Sequence, residues 1–242
     1  MKRFAAALLA LTCSLSALAA GAMTRDEALR EAIGQYGRGE TAAAQAAFEA
    51  LSRQGVPAAD YNLAVMHLQG DIPGGAAAAR ERLRQAAQAG FVTAMFGLGQ
   101  LYEQGLLGQR DLAQAHVWYL RAAEAGSVDG QVAMGTACYL GRGAAKDPAA
   151  AARWYREAAK GGDVGAQYLI ASMYENGEGV GRDLRLARYW YAIAAGNGDE
   201  AAPGKLREMD QRMQAEQAER PEPTTAPHPV GPGVATSAKA AT

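Results

Sequence analysis

The residues of this 242-residue chain with reactive side chains are few and scattered. His67 and His116 fall in separate helical stretches and His228 in a terminal tail. There is no His-x-x-x-His and no neighbouring Cys, so the ligand spacing that zinc needs is missing. No metal or cofactor is expected. A serine nucleophile would need a Gly-x-Ser-x-Gly elbow, which the sequence lacks. Gly177-Glu178-Gly179-Val180-Gly181 has the glycine density of a phosphate loop, but no strand precedes it and no Lys-Ser/Thr ends it; turn geometry accounts for it. The acidic pairs Asp26-Glu27 and Asp199-Glu200 stand where helices open and negative charge complements the helix dipole. The chain is therefore expected to be non-catalytic.

Composition points the same way. Hydrophobic residues make up 49% and charged residues 20%, with 24 Lys+Arg against 25 Asp+Glu, which excludes a polybasic nucleic-acid binder. Much of the apolar count is Ala, the best helix former, so a mostly helical chain is expected. Lys2-Arg3, an uncharged run from Phe4 to Leu18 and the small residues before Ala20 read as a secretory signal peptide over 1–19, cut after Ala19 or alternatively after Ala22. The run falls short of the roughly 20 apolar residues of a spanning helix, so no stable membrane span is expected. Removal of Lys2 and Arg3 takes the formal charge from −1 to −3 and leaves Cys138 as the lone thiol. Residues 220–242 hold five of nine prolines among small polar residues and are expected to form a disordered tail.

Between these ends the sequence repeats. Gly90, Gly126, Gly162 and Gly198 are each 36 residues apart. The same offset relates Trp118-Tyr119, Trp154-Tyr155 and Trp190-Tyr191, the aspartates Asp111, Asp147 and Asp183, and the glycines Gly105, Gly141 and Gly177. A period of this length signals stacked supersecondary units. Each unit parses as two helices. In the second, helix A spans Val92 to Gln104 with Ala94, Leu98, Leu101 and Tyr102 at helical spacing, and Gly105 stops it. Asp111 then caps helix B, with Gln114 three residues on as in a capping box; Ala115, Trp118, Tyr119, Ala122 and Ala123 form its buried side. Units are expected at 56–90 (degenerate, without the Asp cap and Trp-Tyr pair), 91–126, 127–162 and 163–198. A capping helix pair at 24–55 and a capping helix at 199–219 complete the array.

The phrases Leu98-Gly99-Gln100-Leu101-Tyr102-Glu103-Gln104-Gly105, Asp111, Ala115-His116-Val117-Trp118-Tyr119 and Ala122-Ala123-Glu124-Ala125-Gly126 resemble the Sel1-like repeat, a relative of the tetratricopeptide repeat. The resemblance implies an all-α, right-handed α-solenoid of stacked helix-turn-helix units that serves as a scaffold or adaptor for protein or peptide partners, often in bacterial envelope or secreted settings. Cys138 stands where Tyr102 and Tyr174 stand, which argues for a buried thiol, and Ala171 replaces Gly99 and Gly135. One branch of the family carries a disulfide across each repeat and is linked to β-lactam binding. This chain lacks those Cys pairs.

If helix A lines the inner curve, as in related solenoids, one row facing the groove is Tyr61, Phe96, Val132 and Tyr168. A turn onward lie Val65, Gln100, Thr136 and Ser172, then Glu103, Tyr139 and Glu175, with Gln104 and Asn176 beside them. Aromatic rings flanked by amides and hydroxyls suit an extended peptide or a partner helix. The alternative is that the rings pack between neighbouring helices. The rival functions are an envelope enzyme acting on cell-wall peptides or β-lactams, for which Ser172 is the groove serine, and a secreted effector that binds a host protein. Periplasmic or secreted residence is expected from the signal peptide.

Overall fold

The computed structural model describes residues 23–219; the signal peptide expected over 1–19 and the disordered tail expected over 220–242 lie outside the described residues. Eleven helices occupy the described residues: α1 (Arg25–Gly37), α2 (Thr41–Arg53), α3 (Pro57–Gln69), α4 (Gly75–Gln88), α5 (Val92–Gln104), α6 (Leu112–Glu124), α7 (Val128–Leu140), α8 (Pro148–Lys160), α9 (Val164–Asn176), α10 (Leu184–Gly196) and α11 (Ala202–Ala218). Each packs on the next in chain order, so α3–α10 form four antiparallel hairpins stacked as an α-solenoid.

Local chemistry fixes the helix ends. Gly105, Gly141 and Gly177 close α5, α7 and α9 in the left-handed region at φ +72°, which costs a residue without Cβ nothing. Asp111, Asp147 and Asp183 cap α6, α8 and α10 by accepting backbone N–H bonds. The capping box expected at Asp111 forms by half: its carboxylate takes the Gln114 amide at 2.9 Å. A complete reciprocal box forms at Thr24 and Glu27, which holds the Glu27 carboxyl below its ordinary range.

The core is a chain of clusters rather than one centre, because each hairpin has a single apolar side to bury. Ala115, Tyr119, Met134, Cys138, Tyr155 and Ile170 belong to one cluster spanning units two to four. Cys138 is 6% exposed, and burial pushes its thiol pKa up. Of the Trp-Tyr pairs, Tyr119, Tyr155 and Tyr191 are buried, whereas Trp118, Trp154 and Trp190 are only half-buried. Trp118 lies under the Arg121 guanidinium, 4.6 Å from the ring centroid.

The period continues past residue 198. Ala202 and Met209 of α11 stand 36 residues after Ala166 and Met173 and, like them, are buried. Just before α11, Asp199 accepts the Ala202 amide at 2.8 Å, at the same offset at which Asp163, the N-cap of α9, accepts that of Ala166. The terminal helix thus continues the period in the manner of a further helix A.

Candidate functional site on the helix A face

Glu103, Thr136, Glu175, Phe96 and Tyr168 are each set by a contact with a helix B tyrosine of their own unit. Tyr119 and Tyr155 of helix B lie flat over Gly99 and Gly135 of helix A; a Cβ at Gly135 would stand 2.6 Å from the Tyr155 ring. That approach carries each hydroxyl across to the helix A face. Tyr119 donates to Glu103 at 2.6 Å and Tyr191 to Glu175 at 2.8 Å. In unit three Tyr139 occupies the glutamate position, and Tyr155 bonds Thr136 at 3.0 Å instead. Burial raises the pKa of all three tyrosines, and the carboxylates of Glu103 and Glu175 raise those of Tyr119 and Tyr191 further.

Units are then tied to one another along this face. Glu103 faces Arg142 of the next unit at 3.6 Å, and Tyr139 donates to Glu178 at 2.9 Å, both pairs 39 residues apart. Lys146 lies 5.2 Å from the Tyr139 ring. At the end of the array Arg212 and Lys205 of α11 reach Glu175 at 2.8 and 3.2 Å.

The eleven candidate residues therefore divide by depth. Tyr61, Phe96 and Tyr168 are half-buried, with ring centroids 5.6 Å from Phe91, 5.5 Å from Tyr119 and 5.1 Å from Tyr191 respectively. Val65, Val132, Thr136 and Ser172 are half-buried and Gln100 is exposed. Ser172 accepts a bond from Asn176 at 3.3 Å. Of the third row, Glu103 and Tyr139 are half-buried and internally bonded, while Glu175 is 5% exposed beneath α11. Arg142, Glu178, Lys205 and Arg212 were absent from the candidate set. The first two carry a signal in the sequence, the 39-residue offset to Glu103 and Tyr139; the last two carry none, because their partner lies on a helix 30 or more residues away at no repeated spacing.

A cleft opens between units two and three. Its inner chamber, about 200 Å³, is lined by Ala115, His116, Tyr119, Ala133, Thr136 and Ala137. An outer chamber of about 280 Å³ runs past Gln104 and Arg110, and Glu103, Leu112 and Arg142 border both. Among the described residues no cluster of His, Cys, Asp or Glu could hold a metal ion, and no helix is long and apolar enough to cross a membrane.

The Sel1 repeat family model matches four consecutive stretches, residues 57–91, 92–127, 128–163 and 164–199, more than half of the chain. A protective antigen of uropathogenic Escherichia coli with an SLR fold superposes with a TM-score of 0.72 at 28% identity, over 79% of this chain and 42% of that one. A Sel1 repeat protein from Oxalobacter formigenes gives 0.64 at 30% identity, over 69% of this chain and 49% of that one. This chain thus spans less than half the length of either structure. Among curated proteins none matches it. Four matched repeats, stacked through the contacts described above, place the chain in the Sel1-repeat family.

Proposed function

We propose that this protein is an exported, non-catalytic scaffold whose helix A face takes a peptide or a partner helix, in the periplasm or outside the cell. The observation that carries the reading is the row of rings at Tyr61, Phe96 and Tyr168, each partly open while one side rests on the core. Rigid half-open rings offer contact area at little entropic cost, and exposed Gln100 with Ser172 supplies polar groups to fix register. Sel1-repeat proteins commonly serve as protein-interaction scaffolds, which agrees with the empty catalytic inventory. The signal-peptide pattern over residues 1–19 supports export.

Crosslinking pull-down from the envelope fraction tests the reading. Gln100→Arg with Asn176→Arg places two long cations on the face at exposed positions, so the melting temperature should hold while the partner captured by wild type is lost. Phe96→Ala with Tyr168→Ala should lose the same partner. Unchanged capture by the double arginine variant, with folding intact, would refute the proposed face.

A further inference from the structure

The cleft between units two and three has a lining particular to these two units. Unit three places Ala133 and Ala137 there, at the positions where unit four carries Leu169 and Met173, and His116 stands where the next helix B has Ala152. The hollow therefore arises from small side chains in one unit and not from the repeat itself. The His116 Nδ1 atom is buried there without a hydrogen-bond partner, a state that costs free energy unless something else satisfies it.

Charge selects the occupant. Arg110 makes no ion pair among the described residues, and Arg142 has only Glu103, at 3.6 Å. Glu103 in turn already accepts the Tyr119 hydroxyl. Two guanidinium groups thus face one engaged carboxylate across the outer chamber, an excess of positive charge that favours an anion; a forked guanidinium matches a carboxylate in particular. Behind them the inner chamber, about 200 Å³, sets Ala115, Ala133 and Ala137 beside the Tyr119 and Thr136 side chains, room enough for a small aliphatic group.

We propose that this cleft binds the C-terminal residue of a peptide, its carboxylate between Arg110 and Arg142 and a branched aliphatic side chain over Ala133 and Ala137. The peptide's last carbonyl or amide lies within reach of His116. The site deepens the scaffold reading and rests on it for the remainder of the bound chain, which would run along the helix A face.

N-acetylvaline and N-acetylvalinamide are the probes, titrated into the isotope-labelled full chain and followed by amide chemical shifts. The acid should give saturable shifts confined to 103–119 and 133–142, and the amide should bind about tenfold more weakly, the loss of one charge-assisted contact. Arg110→Ala with Arg142→Ala, both at exposed positions, should weaken the acid by at least that factor. His116→Ala with Ala133→Leu and Ala137→Met removes the imidazole and fills the chamber with the residue types that unit four carries, and should abolish binding with the melting temperature retained; if that variant unfolds, the arginine pair decides. Equal binding of acid and amide, absence of saturation, or scattered shifts would overturn the site. Probe binding without partner capture keeps the site and refutes the scaffold reading, whereas partner capture without probe binding refutes the site alone.

Discussion

A tyrosine hydroxyl that points at a carboxylate is stable only as the protonated donor, and the described residues use that arrangement in the core at Tyr119 with Glu103 and Tyr191 with Glu175, and nearer the surface at Tyr139 with Glu178 and Tyr36 with Asp71. At the two core tyrosines burial acts first and the carboxylate second, and both raise the hydroxyl pKa. The folded state therefore holds these protons more tightly than the unfolded one. Their contribution to stability is complete below the ordinary tyrosine value of about 10 and is lost as pH rises toward the folded values. Tyr36 is pushed up to about 12 chiefly by donating to Asp71, and Tyr139 is raised chiefly by donating to Glu178. In an absorbance titration at alkaline pH, part of the ten tyrosines should ionise only as helical circular dichroism collapses. A single transition near pH 10 for all ten, with helicity intact, would contradict these hydrogen bonds. The burial of the three Trp-Tyr tyrosines is legible in the 36-residue spacing. Their hydroxyl partners are not, because one unit exchanges glutamate for Tyr139 and the bond moves to Thr136.

The helices follow closely from the residues that start and stop them. α5, α7 and α9 span the intervals set by apolar spacing and a terminal glycine, since Asp caps and left-handed glycines act locally and need no knowledge of the fold. How hairpins touch one another is less legible, and the loop Gly177 to Gly181 shows the reason. Turn geometry explains Gly177 at φ +72°. Gly179 has a second reason, since a Cβ there would meet the Pro148 carbonyl oxygen at the start of α8 in the preceding unit. A periodic sequence marks the glycine but not the neighbour it admits. Gly179→Ala therefore meets two penalties, a left-handed φ of +69° and a clash with a backbone atom that cannot swing aside. The expected loss is about 2–4 kcal/mol, read from denaturant unfolding. Gly181→Ala, with φ outside that region and open space around it, should stay within about 0.5 kcal/mol. Equal effects at the two glycines would mean that the loop does not dock on the neighbouring unit.

A stack of hairpins has two open ends, and the two are closed differently. At the start, α1 and α2 bring their own cluster of Ala32, Ala44, Phe48 and Leu51 onto α3. At the finish, α11 continues the period with Ala202 and Met209 against Tyr191 while its outer positions turn to charge, so the last apolar side is covered by a helix that water tolerates. The cover also buries Glu175, which leaves its carboxylate dependent on Lys205, Arg212 and the Tyr191 hydroxyl. A carboxylate held in this way is strongly destabilising once its cations go, even though the pair itself adds little over a neutral substitute. Lys205→Met with Arg212→Met should therefore cost about 3–5 kcal/mol. Adding Glu175→Gln should return most of that loss, because a neutral amide keeps the Tyr191 bond without the buried charge. Deletion of 199–219 behaves otherwise: it returns Glu175 to water but uncovers Tyr191 and Ala194, so Glu175→Gln should rescue nothing there. Hydrogen exchange should then show α9 and α10 opening ahead of α5–α8, since a stack held by neighbours frays from its uncovered end. Rescue by Glu175→Gln in the deleted chain as well would show that the charge, and not the apolar cover, governs that end.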